Sequence, residues 1–300
     1  MAPAAVAKAT WQIFNEQHAT RLASSVAYAF IFAIAPLFII IIGIAGTLLD
    51  MRSAHGGHTA VENALIAQIT HAAGPAAGSA VRAMVAASFG KMSSGVLAQT
   101  IGYVLLLVTA SGAVGSLQGA LNVIWNVPDK TGGGIWRTIR DRVAAVVLVL
   151  VLGFVLLFAF AVNAVVGFGL GRATRALPVL ATSPLAAVVG VLAGLAIATV
   201  IFAIIYRWLP DKPIAWRDVW PGALATALLF AAGQEGISLY IGRAGFASAY
   251  GAAGALLALL VWVYYSAAIV LLGAAFTRAT AEARAPALSA AVATGTQSAA

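Results

Sequence analysis

The sequence predicts an all-α fold: a polytopic integral membrane protein with six transmembrane helices and both termini in the cytoplasm. Composition is the first reason. The chain has 300 residues, is 62% hydrophobic and only 9% charged, with a mean hydropathy of +0.98; soluble domains carry about 25% charged residues to cover their surface. Apolar stretches of about twenty residues, enough to cross a hydrocarbon core of about 30 Å, recur along the chain. The third reason is where its basic and tryptophan residues fall relative to the ends of those stretches.

The stretches are 23–49, 95–126, 143–170, 184–209, 219–241 and 251–277, with breaker signals such as "PDKTGGG" at 128–134 and "LPDKP" at 209–213 between them. Placing the N-terminus inside puts Lys8, Arg21, Lys130, Arg137, Arg140, Arg142, Arg207, Lys212, Arg217, Arg278 and Arg284 on the inner side. Six bases (Arg52, Arg82, Lys91, Arg172, Arg175, Arg243) fall outside. That excess of inner bases is the positive-inside pattern. Trp11, Trp125, Trp136, Trp208, Trp216 and Trp220 all fall at inner ends, where an amphipathic indole prefers the headgroup boundary.

In the first span, Pro36 removes a backbone donor and predicts a kink. The second, at 32 residues or about 48 Å of helix, overshoots the bilayer and predicts a tilt with its "LNVIWN" end projecting into the cytoplasm. Between these spans, Val61, Leu65 and Ile69, then Val81, Met84, Val85, Ser88 and Phe89, recur at helical spacing on either side of Gly74-Pro75. They predict two short amphipathic helices that lie on the outer interface or cap the bundle. Residues 1–280 form one transmembrane domain on this reading, and 281–300, rich in alanine, serine and threonine, a mobile cytoplasmic tail.

The candidate chemistry is sparse. Glu235, in "AAGQEGISLY", is the one acidic residue within a span. A carboxylate there either protonates or faces a wet cavity, although its position near the outer end also lets it reach headgroups. Gln118 and Asn122 share a helical face in the second span, beside Gly115 and Gly119; Gly190 and Gly194 repeat the small-residue spacing in the fourth. Such patterns predict close helix packing with interhelical amide hydrogen bonds, or, with Asn163 of the third span, a polar stripe along a substrate path. Trp136, Arg137, Arg140 and Arg142 predict anchoring to anionic headgroups at the inner face.

Other chemistries are excluded or unsupported. The chain has no cysteine, hence no disulfide or thiolate site. His55, His58 and His71 with Asp50 and Glu62 match no rigid metal-ligand spacing, and no metal or other cofactor is implied. "GFGLG" at 167–171 ends a membrane span with no strand before it, and "DKTGGG" has the wrong order for a phosphate loop. The inner carboxylates Glu16, Asp129, Asp141, Asp211, Asp218 and Glu282 mostly have a base nearby in sequence, so they read as loop salt bridges. The expected partners are therefore the bilayer and its anionic headgroups, not nucleic acid, with a homo-oligomer left open.

Four stretches together resemble the YihY/BrkB family of bacterial inner-membrane proteins: "ASSVAYAFIFAIAPL" (23–37), "SGAVGSLQGALNVIWNVPD" (111–129), "YRWLPDKPIAWRDVWPGAL" (206–224) and "AYGAAGALLALLVWVYYSAAIVLLGA" (249–274). The resemblance covers roughly residues 10–280 and implies a six-helix membrane fold with a cytoplasmic N-terminus. Members have been labelled ribonuclease BN, an attribution generally regarded as mistaken; others are described as serum-resistance virulence factors or transporters. The matching positions are Pro36, Leu117, Ala120, Leu121, Asn122, Pro210, Pro221, Gly222, Tyr250, Gly251 and Gly254, mostly shape-giving residues. The family's last span usually ends "LLGAE", whereas here Ala275 stands in place of the glutamate. The expectation is a non-enzymatic inner-membrane protein that moves or handles a lipid-like or small polar substrate near Gln118, Asn122, Asn163 and Glu235. The alternative is a structural, envelope-integrity protein without transport, and the third reading, a membrane-bound hydrolase or nuclease, lacks a convergent acid–base or metal set.

Overall fold

The computed structural model describes residues 3–50, 57–89, 111–128, 184–243 and 252–297, and every regular element among them is helical. In chain order these are α1 (Pro3–Glu16), α2 (Ala19–Asp50), α3 (Gly57–Phe89), α4 (111–124), α5 (Pro184–Trp208), α6 (Trp216–Arg243) and α7 (Ala252–Gln297). Of these, α5 over Gly190–Trp208 and α7 over Leu256–Arg284 contain segments long and apolar enough to cross a membrane. The first half of the expected second span and the whole of the third lie outside the described residues, as do Asn163, Arg137, Arg140, Arg142 and Trp136.

The buried side chains form two clusters at different levels of the bundle. One joins Ile13 and Phe14 of α1, Ala19, Ala23 and Val26 of α2, Leu117, Leu121 and Ile124 of α4, Tyr206 of α5, Ala223 of α6 and Leu271 of α7. The other joins Ala27, Ile34 and Ile42 of α2, Val61, Val81 and Val85 of α3, and Leu259 and Val263 of α7. Helix α2 enters the first cluster and leaves through the second, and α7 runs the other way. Helix α3 is thereby at the opposite end of the bundle from α1 and the α5–α6 loop.

The break expected at Gly74-Pro75 is present in a sharper form. Gly57–Phe89 is helical throughout, with Pro75 inside it. Thr70 and Gly78 would be about 12 Å apart on a straight helix, yet a Cβ built on Gly78 would lie 3.4 Å from the Thr70 Cα. The segment therefore folds back on itself as a hairpin: Pro75 lacks the amide donor that a continuous helix needs, and Gly78 leaves room for the contact. Val81 and Val85 are fully buried, with Leu65, Ile69 and Met84 half-buried around them, which is the apolar stripe read from the sequence.

Helices α6 and α7 pack antiparallel through small residues. Gly222 lies against Thr277, Thr226 against Gly273, and Gly233 against the Tyr265 ring, in descending order along α7. Thr226 and Thr277 are fully buried, and each donates its hydroxyl to the carbonyl four residues back (2.7 and 2.8 Å). That bond satisfies a polar atom within an apolar helix. The Tyr206 hydroxyl of α5 joins the seam, 2.7 Å from the Val270 carbonyl and 2.8 Å from Thr226 Oγ1. The glycine pairs singled out in the sequence behave differently: Gly115, Gly119, Gly190 and Gly194 have no neighbour within 4 Å of a built Cβ among the described residues. A small side chain permits close approach, but whether a helix takes up the offer depends on where its partner stands.

Outward faces remain apolar. Tyr28 and Phe32 on α2, Val188, Val191 and Leu192 on α5, Leu224, Leu228 and Leu229 on α6, and Leu256, Leu257 and Leu260 on α7 are all exposed. Soluble monomers rarely expose contiguous apolar surface on this scale; a bilayer accepts it. Helix α7 continues to Gln297, through most of the segment expected as a tail.

Candidate functional site

Helix α4 ends in a built stop. Asn126 adopts a left-handed conformation (φ 51°), the Val127 amide donates to the Asn122 carbonyl (2.9 Å) and the Asn126 amide to the Val123 carbonyl (3.0 Å). This paired pattern satisfies carbonyls that a helix end otherwise leaves unpaired. The Ile124 carbonyl is taken by Arg278 Nη1 of α7 at 2.7 Å, a cation placed at the negative end of the helix. Arg278 is held in turn by Glu282 one turn on, at 2.7 Å.

This end of α4 presents Gln118 and Asn122, one turn apart, to the α5–α6 loop. Both meet Asp211. Gln118 Nε2 donates to one carboxylate oxygen (3.2 Å) and Asn122 Nδ2 to the other (3.1 Å), while the Asp211 amide donates back to Asn122 Oδ1 (2.9 Å). Gln118 and Asn122 are half-buried and Asp211 is exposed, so the group is open to water. The two amides thus bond to a loop carboxylate, where the sequence pattern pointed to another membrane helix. Asp211, expected in a salt bridge, is held by amides among the described residues. The adjacent Lys212 places its ammonium 5.5 Å from the centroid of the Trp125 ring, within cation–π range.

A second polar group locks the start of α6. Pro221 has no amide hydrogen, so the Arg217 carbonyl four residues back has no helical donor. Arg284 of α7 supplies one: its Nη1 lies 2.9 Å from the Arg217 carbonyl and 3.0 Å from Asp218 Oδ1. Asp218 itself is buried in the first turn of α6, where a negative charge suits the helix dipole. Its main base is therefore this distant arginine, since the neighbouring Arg217 is 3.9 Å away.

The tryptophans at this end divide into two kinds. Trp208, Trp216 and Trp220 are exposed and stand in a ladder with ring centroids 6.3 and 6.1 Å apart, as a headgroup-level belt requires; Trp11 is also exposed. Trp125 does not belong to that belt. It is only 4% exposed and packs in the core cluster beneath Lys212.

Of the residues proposed from sequence, the structure brings Gln118 and Asn122 together and adds Asp211. Glu235 is carried by α6 seventeen residues beyond Asp218, about 26 Å of helix rise away from that end. Its side chain lies outside the described residues, as do those of Asn163, Arg137, Arg140 and Arg142. At Gly233, two residues before Glu235, the Tyr265 ring of α7 packs against the backbone. Ala275 is fully buried, so no carboxylate enters the core where the resembling family usually has one. The long-range contacts of Arg278 and Arg284 carried no sequence signal, although the Arg278–Glu282 pair is one of the expected local salt bridges; Pro221, which orphans a carbonyl, was the legible hint for Arg284.

Comparison with known proteins adds the following. A family model described as virulence factor BrkB matches residues 10–295. A UPF0761 membrane protein from Verminephrobacter eiseniae is 32% identical over 178 residues, covering 59% of this chain and 40% of the relative. One from Xanthomonas campestris pv. campestris is 29% identical over 271 residues, 88% of this chain and 58% of its own length. A third, from Ralstonia nicotianae, is 27% identical over 186 residues, 58% of this chain and 37% of the relative. The chain thus matches roughly two fifths to three fifths of these relatives' length. No solved structure matches it.

Proposed function

The chain belongs to the virulence factor BrkB family, and from that premise we propose that it is a multi-pass protein of the bacterial inner membrane that moves or handles a lipid-like or small polar substrate. Six helices cross the bilayer with both termini in the cytoplasm, and the protein carries out no covalent chemistry. The relatives are named as membrane proteins, and the exposed apolar faces of α2, α5, α6 and α7 support a bilayer around this one. Lys212, Arg217, Arg278 and Arg284 gather at the same end as the exposed tryptophan ladder, which supports that end as the cytoplasmic one.

The observation that carries the reading is the water-accessible junction of Gln118, Asn122 and Asp211. Polar side chains that converge between membrane helices are the usual lining of a substrate path. In this proposal the path starts at that junction, between α4 and the α5–α6 loop, and continues past Asn163 toward Glu235. Arg137, Arg140 and Arg142 hold anionic headgroups beside it.

The test is reconstitution into vesicles that contain a fluorescent phospholipid, with a membrane-impermeant quencher added outside. Lipid handling predicts protein-dependent loss of the protected inner-leaflet signal, slowed by Asp211→Ala and by Glu235→Gln. No acceleration over protein-free vesicles would sink the lipid reading. One observation favours the envelope-integrity alternative: both polar atoms of the Asn122 amide are already used to fix Asp211, so the junction also serves as a loop anchor.

A further inference from the structure

The fold-back of α3 leaves a groove between its two arms that the path proposed above does not use. The face of the second arm bearing Ala77, Val81 and Val85 is buried against α2 and α7. The groove, of about 410 Å³, is lined by Ile66, Thr70, Pro75 and Gly78 together with Ser79, Arg82, Ala83 and Ala86. It is shallow and mostly apolar, because Ile66, Pro75, Gly78, Ala83 and Ala86 end in a methyl group, a ring or nothing at all. Its volume falls in the range of ligand sites, about 300–1,000 Å³.

Arg82 is the only charged residue in this lining. It is exposed and has no ion-pair partner among the described residues. The Thr70 hydroxyl is already used by the Ile66 carbonyl at 2.8 Å. A guanidinium beside an apolar slot matches one kind of molecule: an amphiphile with a chain for the slot and a planar or tetrahedral oxyanion for the fork. The same end of the bundle exposes Leu256, Leu257 and Leu260 on α7, which favours an occupant delivered from the bilayer rather than from water.

We propose that the α3 hairpin is a binding site for an anionic phospholipid, its acyl chain lying between the arms and its phosphate on Arg82. The site is at the opposite end from Asp211 and would stand whether or not the protein translocates anything. Selectivity for anionic over zwitterionic lipid comes from Arg82 alone, and one basic group near a headgroup is worth about a five-fold preference.

The chain contains no cysteine, so Ala83→Cys on an exposed lining position gives a single fluorophore in the groove of the full-length protein. The probes are brominated phosphatidylglycerol and brominated phosphatidylcholine, titrated separately into nanodiscs. The expected result is half-maximal quenching by phosphatidylglycerol at about five-fold lower mole fraction than by phosphatidylcholine. Arg82→Ala should abolish that difference, Arg82→Lys should retain most of it, and a label on Val191→Cys of α5 should show none. Equal quenching by both lipids at residue 83, or a preference that survives Arg82→Ala, overturns the proposal. Quenching by a brominated fatty acid with none by either phospholipid overturns the assigned occupant.

Discussion

Gly273→Ala is the most informative single change in the α6–α7 seam. A Cβ at position 273 would stand 3.0 Å from the Thr226 Cβ, and nearer still to the Thr226 and Tyr206 hydroxyls. Neither oxygen can turn aside freely: Thr226 donates to Gly222 and Tyr206 to Val270, both at 2.7 Å, and both residues are fully buried. Overpacking of a tight interior costs about 1–3 kcal/mol. Displacing the Tyr206 bond adds about 0.6 kcal/mol, the average for interhelical hydrogen bonds in membranes. The better helix propensity of alanine returns at most about 1 kcal/mol. The steric term wins, leaving a net loss of about 1–3 kcal/mol.

Gly194→Ala on α5 is the matched control, since no described atom lies within 4 Å of a Cβ there; it should be neutral or stabilise by up to about 1 kcal/mol. Thermal unfolding in detergent, followed by size-exclusion fluorescence, separates the two. Adding Thr226→Ala to Gly273→Ala should recover part of the loss, with a coupling of about 0.5–3 kcal/mol for residues in contact. A Gly273→Ala protein as stable as wild type, alongside a destabilised Gly194→Ala, would refute the packing argument.

Three further outcomes are expected. Asn122→Leu removes the acceptor of the Asp211 amide, so hydrogen exchange at that amide should rise about five-fold, the equivalent of one net hydrogen bond of about 1 kcal/mol; unchanged protection would show that the loop is held elsewhere. Arg284→Ala should destabilise the protein by about 1 kcal/mol, and Pro221→Ala, by restoring an amide donor to the Arg217 carbonyl, should make the arginine loss less damaging. For the topology, a membrane-impermeant maleimide on intact cells should label Gly56→Cys and leave Gly132→Cys unlabelled until the cells are permeabilised; labelling of both from one side refutes six spans.

Composition and periodicity alone determined the helical class, the membrane solvent and the approximate limits of α2, α5 and α6, because each depends on local apolar content. They also marked the fold-back at Gly74-Pro75, where a missing amide donor acts within its own segment. Gln118 and Asn122 were legible for the same reason: four residues on a helix fix a shared face.

Their partner was not legible. Asp211 lies 89 residues from Asn122, and Arg278 lies 154 residues from the carbonyl that it caps; no local pattern encodes contacts over such separations. Nor could the sequence choose among its glycines. Gly190 and Gly194 carried the recognised small-residue spacing, yet among the described residues Gly78, Gly222, Gly233 and Gly273 make the close approaches, because spacing sets what a helix face permits while the position of the neighbouring helix decides what it does. Trp125 was placed at the headgroup boundary by its position near a helix end, but it is buried in a cluster with side chains of α1, α2, α5, α6 and α7. The chain's own chemistry selected the solvent and the helices; the tertiary structure selected which polar groups meet, since that depends on which helices stand side by side.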